Sequence, residues 1–226
     1  MKNLKNIFLL LIAVVATVSC TDSVQRPHLE EIYNEEGSPY SYQRSFLYND
    51  RGQLHEIRVT DTDGVINQFD RFYYQGGKLV SQVSYLDSGT VVSRRRYEYG
   101  IEGRLNNRLT EGDGGIVLMN EKFLCDGESG RITGIVTYDS GGSEIGKREF
   151  IYNSEQVLVR ENLYDSDGKI ALYKIYDLSD SGIITIKYFD AFENSERLLR
   201  VTKRIFEIAN RSPVVSISGI YIYAFD

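Results

Sequence analysis

The side chains able to do chemistry fall mostly at turns. Asp165-Ser-Asp167-Gly168 and its twin Asp61-Thr-Asp63-Gly64 space their carboxylates as a calcium loop or a pair of catalytic acids would. If Asp165, Asp167 and Gly168 took the third, fifth and sixth places of an EF-hand loop, Leu163 would stand first and Lys174 last. Neither supplies the oxygen those places require. The twin puts Val59 first. Both stretches therefore read as tight turns, and the chain is expected to use no metal and no other cofactor.

His28, beside Pro27, and His55, just after a turn, each lack a histidine companion in the sequence. Metal ligation and a Ser-His relay are left without their second member. Cys125 stands where neighbouring segments carry tyrosine, with a lengthened "DGESG" behind it. It is expected to be a packed thiol beside a bulge rather than a nucleophile. No catalytic residue is assigned, and the chain is expected not to be an enzyme. The 17 tyrosines are more suggestive. Tyr48, Tyr73, Tyr99 and Tyr152 recur beside turns, and such a ladder can stack on sugars, grip a partner protein or simply stiffen a sheet.

What must position these residues is a repeat. Aliphatic landmarks at Leu54, Leu79, Leu105, Ile132, Leu158 and Ile184 are separated by 25, 26, 27, 26 and 26 residues. All but Ile132 follow a tyrosine-led turn such as "YNDRGQL" or "YGIEGRL", Ile132 follows the looser copy "CDGESGRI", and between them lies a second turn series that includes "TDTDG", "YLDSG" and "YDSDG". Turns thus arrive about every 12 to 14 residues. The segments between are rich in Val, Ile, Tyr, Phe and Thr, with no proline from Tyr40 to Ser212. These are strand residues, and Asp-Gly or Ser-Gly supplies the positive φ of a hairpin turn.

The expected fold is all-β: an antiparallel meander of about 12–14 strands built from two-strand repeats of about 26 residues. Strict alternation of polar and apolar residues is missing from segments such as "VVSRRRYEY" and "VLVRENLYD". That favours an open twisted sheet wetted on both faces, with a closed barrel or shell as the alternative. The apolar tail from Val214 is expected to cap the last edge. The motifs resemble the YD repeat, Tyr-Asp-x-x-Gly-Arg-Leu/Ile, over about residues 40–195. The resemblance to Rhs-type proteins implies a β-shell and, by analogy of fold, a component or antagonist of a toxin system.

The first 19 residues carry Lys2 and Lys5, no acid, and an apolar run from Ile7 to Val18. Such a run is too short to span a bilayer and reads as a secretory signal. Thr17-Val-Ser-Cys20 resembles the lipobox of bacterial lipoproteins, which implies lipid on Cys20 and a place in the cell envelope, on the outer membrane and facing the periplasm or the surface. Short lipoproteins of this kind resemble those of Bacteroidota. The expected organisation is a signal peptide over 1–19, a tether over 20–39 and the repeat domain over 40–226.

Without the signal, 24 basic residues face 32 acidic ones, a net charge of −8. An acidic chain is a poor partner for nucleic acid. The one dense basic run, Arg94-Arg95-Arg96, would alternate between the faces of a strand and form no patch. The function that fits is a lipid-anchored envelope protein acting as a non-enzymatic binding or scaffold surface for a protein or glycan. The alternative is a secreted hydrolase using acids on one sheet face.

Overall fold

Turn chemistry sets the architecture. Asp165 Oδ1 accepts the N–H groups of Asp167 and Lys169 at 3.0 and 2.9 Å, while the Gly168 N–H reaches the Asp165 carbonyl at 3.1 Å and Gly168 takes φ +76°. Asn49, Asp61, Asp139 and Asn153 bind the N–H groups two and four residues on in the same way. The opening Asp or Asn of each motif is thus a turn acceptor, as the sequence implied for Asp165-Ser-Asp167-Gly168 and Asp61-Thr-Asp63-Gly64. The tight turn with a left-handed residue at its end reverses the chain and leaves a bulge.

The computed structural model describes residues 24–209, apart from 35–37, 102, 128, 179–181 and 192–196. The expected signal peptide, Cys20 and the apolar tail lie outside the described residues. The first seven strands are β1 (Val24–Tyr33), β2 (Tyr42–Tyr48), β3 (Leu54–Asp61), β4 (Ile66–Gln75), β5 (Lys78–Leu86), β6 (Val91–Tyr99) and β7 (Leu105–Glu111). The second seven are β8 (Val117–Cys125), β9 (Ile132–Asp139), β10 (Glu144–Tyr152), β11 (Leu158–Tyr164), β12 (Ile170–Asp177), β13 (Ile183–Asp190) and β14 (Arg197–Ala209). Every strand pairs antiparallel with its chain neighbours, and β1 also pairs with β14 through partners that include Glu31–Lys203 and Tyr33–Val201.

The sheet is therefore a closed barrel, and the expected open sheet is wrong. The strand that closes it, β1, comes from the segment expected to be a tether, so His28 sits on a strand and is exposed. The irregular alternation that argued for an open sheet has a different cause. Several of the charged residues at strand centres point inward and pair there. Arg108 donates to Glu121 at 2.5 and 2.8 Å, Arg148 to Glu121 at 2.6 Å, and Lys174 lies 3.1 Å from Glu161. Glu30 is held by Arg44 at 2.9 Å and by Arg204 at 2.6 Å. Burial alone would raise the Glu121 carboxyl, but the hydrogen bonds and charges of Arg108, helped by Arg148 and Arg95, hold it below the usual carboxylate range.

An apolar layer of Phe46, Ile57, Phe72, Phe123, Ile135, Phe150 and Ile186 packs beside this network. The outer wall carries Arg58, Arg71, Arg94, Arg96, Lys122 and Lys147, all exposed. A wall facing lipid would lose ~2 to 4 kcal/mol for each Arg or Lys at mid-depth, so this wall is built to face water. The basic run divides as the strand period requires: Arg94 and Arg96 lie outside and Arg95 faces inward.

Candidate functional site

One end of the barrel is ringed by the tyrosine-led turns, and its inner rim is built by a repeated hydrogen bond. Tyr48 donates to the Pro27 carbonyl at 2.7 Å, Tyr74 to Leu54 at 2.9 Å, Tyr99 to Leu79 at 2.8 Å and Tyr152 to Ile132 at 2.8 Å. Each hydroxyl crosses to the preceding strand and reaches a carbonyl 20 or 21 residues back. A cation often roofs the ring: Arg26 lies 4.2 Å from the Tyr48 centroid, Lys78 5.1 Å from Tyr99 and Arg131 4.7 Å from Tyr152. Burial, with the neighbouring Tyr97, pushes the Tyr99 hydroxyl up to about 12.

Of the four ladder tyrosines, Tyr48, Tyr99 and Tyr152 make this bond, and Tyr74 makes it in place of Tyr73. Gly76 and Gly77, at φ +56° and +80°, make a two-residue turn that pairs Gln75 with Lys78. The shorter turn puts Tyr74 opposite Leu79 and turns Tyr73 to the outer wall, 44% exposed, with its hydroxyl 3.3 Å from that of Tyr85.

Among the described residues the rim is interrupted at two places. On β8 the rung position is Cys125, beside the bulge where it pairs with Ile132, so Leu105 receives no tyrosine hydroxyl from it. Beyond β12 the position 20 residues after Leu158 is Leu178. Between and beneath these interruptions lies a cavity of about 620 Å³. Its walls are Tyr99, Leu105, Cys125, Ile132, Tyr152, Leu158, Tyr176, Leu178 and Ile184, with Arg104, Arg131 and Gln156 at the rim. Tyr176 is fixed by its bond to Glu161 at 2.9 Å, and Arg131 bonds Gln156. Burial pushes the Cys125 thiol up, opposed in part by Arg104. The thiol is thus a weak nucleophile at neutral pH.

A second cavity, about 440 Å³, opens toward the opposite end and is polar, with Tyr42, Arg44, Asp61, Asp70, Ser84 and Arg95 among its walls. Buried there without a hydrogen-bond partner are Asp70 Oδ1 and Arg95 Nε. Burial, with Arg108 adding, lowers the Arg95 guanidinium. His55 is exposed on β3 and lines neither cavity. Sequence reasoning missed the mouth cavity; its signal was the one copy in which cysteine replaces the rung tyrosine.

No protein-family model and no curated protein matches the chain, so the YD-repeat resemblance gains no support from either. Among solved structures, a porin-like protein from Bacteroides uniformis aligns at 17% identity and TM-score 0.36, over 75% of this chain and 56% of that one. S. aureus TarM aligns at 11% identity and TM-score 0.22, over 54% of this chain and 21% of that one. The Photorhabdus luminescens Tc holotoxin pore aligns at 11% and 0.20, over 70% and 14%. The chain thus spans about half or less of each of these proteins. At such scores no property of theirs carries over to it.

Proposed function

We propose that this chain is a non-enzymatic binding protein of the cell envelope, anchored by lipid on Cys20, whose barrel holds a small and largely apolar molecule in its tyrosine mouth. The observation that carries the reading is the cavity of about 620 Å³ opened where the tyrosine rim is interrupted. Small-molecule sites are concave, mostly apolar, and carry a few placed polar groups, which describes these walls. A non-catalytic role fits the electrostatics. The interior carboxylates Glu30, Glu121 and Glu161 are each tied to Arg or Lys, and the Cys125 thiol is raised rather than activated. The envelope reading rests on the apolar leader ending in Ser19-Cys20. The test is titration with an apolar fluorophore such as anilinonaphthalene sulfonate. Saturable one-to-one binding that disappears in Cys125→Tyr, with circular dichroism unchanged, supports the reading; unsaturable or unaltered binding overturns it.

A further inference from the structure

The rim also says what kind of molecule fits, an inference that rests on the mouth cavity being a binding site. In four copies the space between adjacent strand ends is filled by a phenol whose hydroxyl meets a carbonyl at 2.7 to 2.9 Å. In the copy formed by β7 and β8 the surroundings persist and the phenol does not. The acceptor position is Leu105, which is 7% exposed. The cation that precedes it, Arg104, holds the place that Lys78 holds beneath Leu79 and Arg131 beneath Ile132. Both of those roof a tyrosine on the next strand. Arg104 lies over Gly130, where a Cβ would stand 3.1 Å from its Nε, and it lines the same cavity as Cys125. Tyr99 and Tyr152 supply aromatic walls on either side.

We infer that the mouth cavity takes a hydroxylated aromatic ring, a phenol that stands in for the missing rung, donates its hydroxyl to the Leu105 carbonyl and lies beneath Arg104. A neutral phenol suits the site because the acceptor is a carbonyl and the flanking rings favour offset or edge contact. A site that offers a carbonyl acceptor favours a ligand that brings the donor over an analogue that lacks it. The ring face turned to Arg104 gains a further cation contact.

The test uses 4-methylphenol, which is the tyrosine side chain itself, with toluene as the matched compound lacking the hydroxyl. Calorimetric titration of the full chain carrying Cys20→Ala is expected to show 4-methylphenol binding at least five-fold tighter than toluene. Arg104→Met should weaken 4-methylphenol several-fold, and Cys125→Ala should leave binding intact. Cys125→Tyr should abolish it by completing the rim. Equal affinity for the two compounds in the wild-type chain overturns the inference and needs no variant. Saturable fluorophore binding without binding of 4-methylphenol overturns the phenol inference alone. Absence of both removes the mouth cavity as a binding site as well.

Discussion

Neutralising Glu121 by Glu121→Gln separates a closed barrel from an open sheet in one measurement. The Glu121 side chain is 4% exposed and is shared by Arg108, at 2% exposure, and Arg148, at 13%. Removing its charge leaves the buried Arg108 guanidinium without its carboxylate and leaves Arg148 only the longer pairing to Glu161 at 3.8 Å. Breaking a buried pair in this way costs ~3 to 5 kcal/mol, whereas the same pair on a wetted sheet is worth ~0 to 1 kcal/mol. For a domain of this size 1 kcal/mol moves the melting temperature by ~2 to 4 °C, so the barrel predicts a fall of about 6 to 20 °C. Urea unfolding should show the same loss as a shift in midpoint at constant slope.

The pH dependence of that difference has a definite sign. The folded Glu121 carboxyl lies below its usual range, so its contribution is full above the unfolded value of ~4.3 and is lost as pH falls through the folded one. The gap between wild type and Glu121→Gln should therefore close in acid. A variant within about 1 kcal/mol of wild type at pH 7 would refute the buried network and with it the inward direction of these strand centres.

Three further outcomes are expected. Gln156 occupies the turn position that glycine fills elsewhere, at φ +68°, so Gln156→Gly should stabilise the fold by ~1 kcal/mol, read by thermal melting. Loss of stability there would mean that its bond to Arg131 outweighs the strained backbone. Arg95→Met removes a buried guanidinium whose Nε has no partner and whose charge is opposed by Arg108, so it should be neutral or gain up to ~3 kcal/mol; a clear loss in urea unfolding would show that Arg95 is paired. Alkylation of Cys125 by iodoacetamide, followed by mass spectrometry, should be slow at pH 7 and rise only above the usual thiol range of ~8.5. Fast reaction at neutral pH would contradict the desolvated thiol.

Strands and turns were legible because they are local. The landmark spacing, the Asp or Asn opening each turn and the left-handed glycine follow from backbone geometry over five or six residues. Closure was not legible, because it depends on β1 meeting β14, some 170 residues away, and no local pattern marks that pairing. The polar strand centres misled for a physical reason. Arg108, Glu121, Glu161 and Lys174 look solvated one strand at a time and are satisfied only across strands. At the site, the rung tyrosines were visible as a series, but Tyr73 displaced Tyr74 because the two-glycine turn is shorter than its neighbours. The cavity needed the geometry of the intact rungs before Cys125 could be seen as a gap in them.

The interior and the mouth both depend on closure of the sheet between β1 and β14. Glu31 and Lys203 are directly paired across β1 and β14. Paired residues stand ~4.5 to 5.5 Å apart at Cα, within the range a disulfide spans. The chain carrying Glu31→Cys and Lys203→Cys, with Cys20→Ala and Cys125→Ala, should form an intramolecular disulfide on mild oxidation. Mass spectrometry of the monomer would then show one cross-linked peptide joining the two strands and no free thiol. A monomer that keeps both thiols free, or that joins only to other chains, would contradict the barrel.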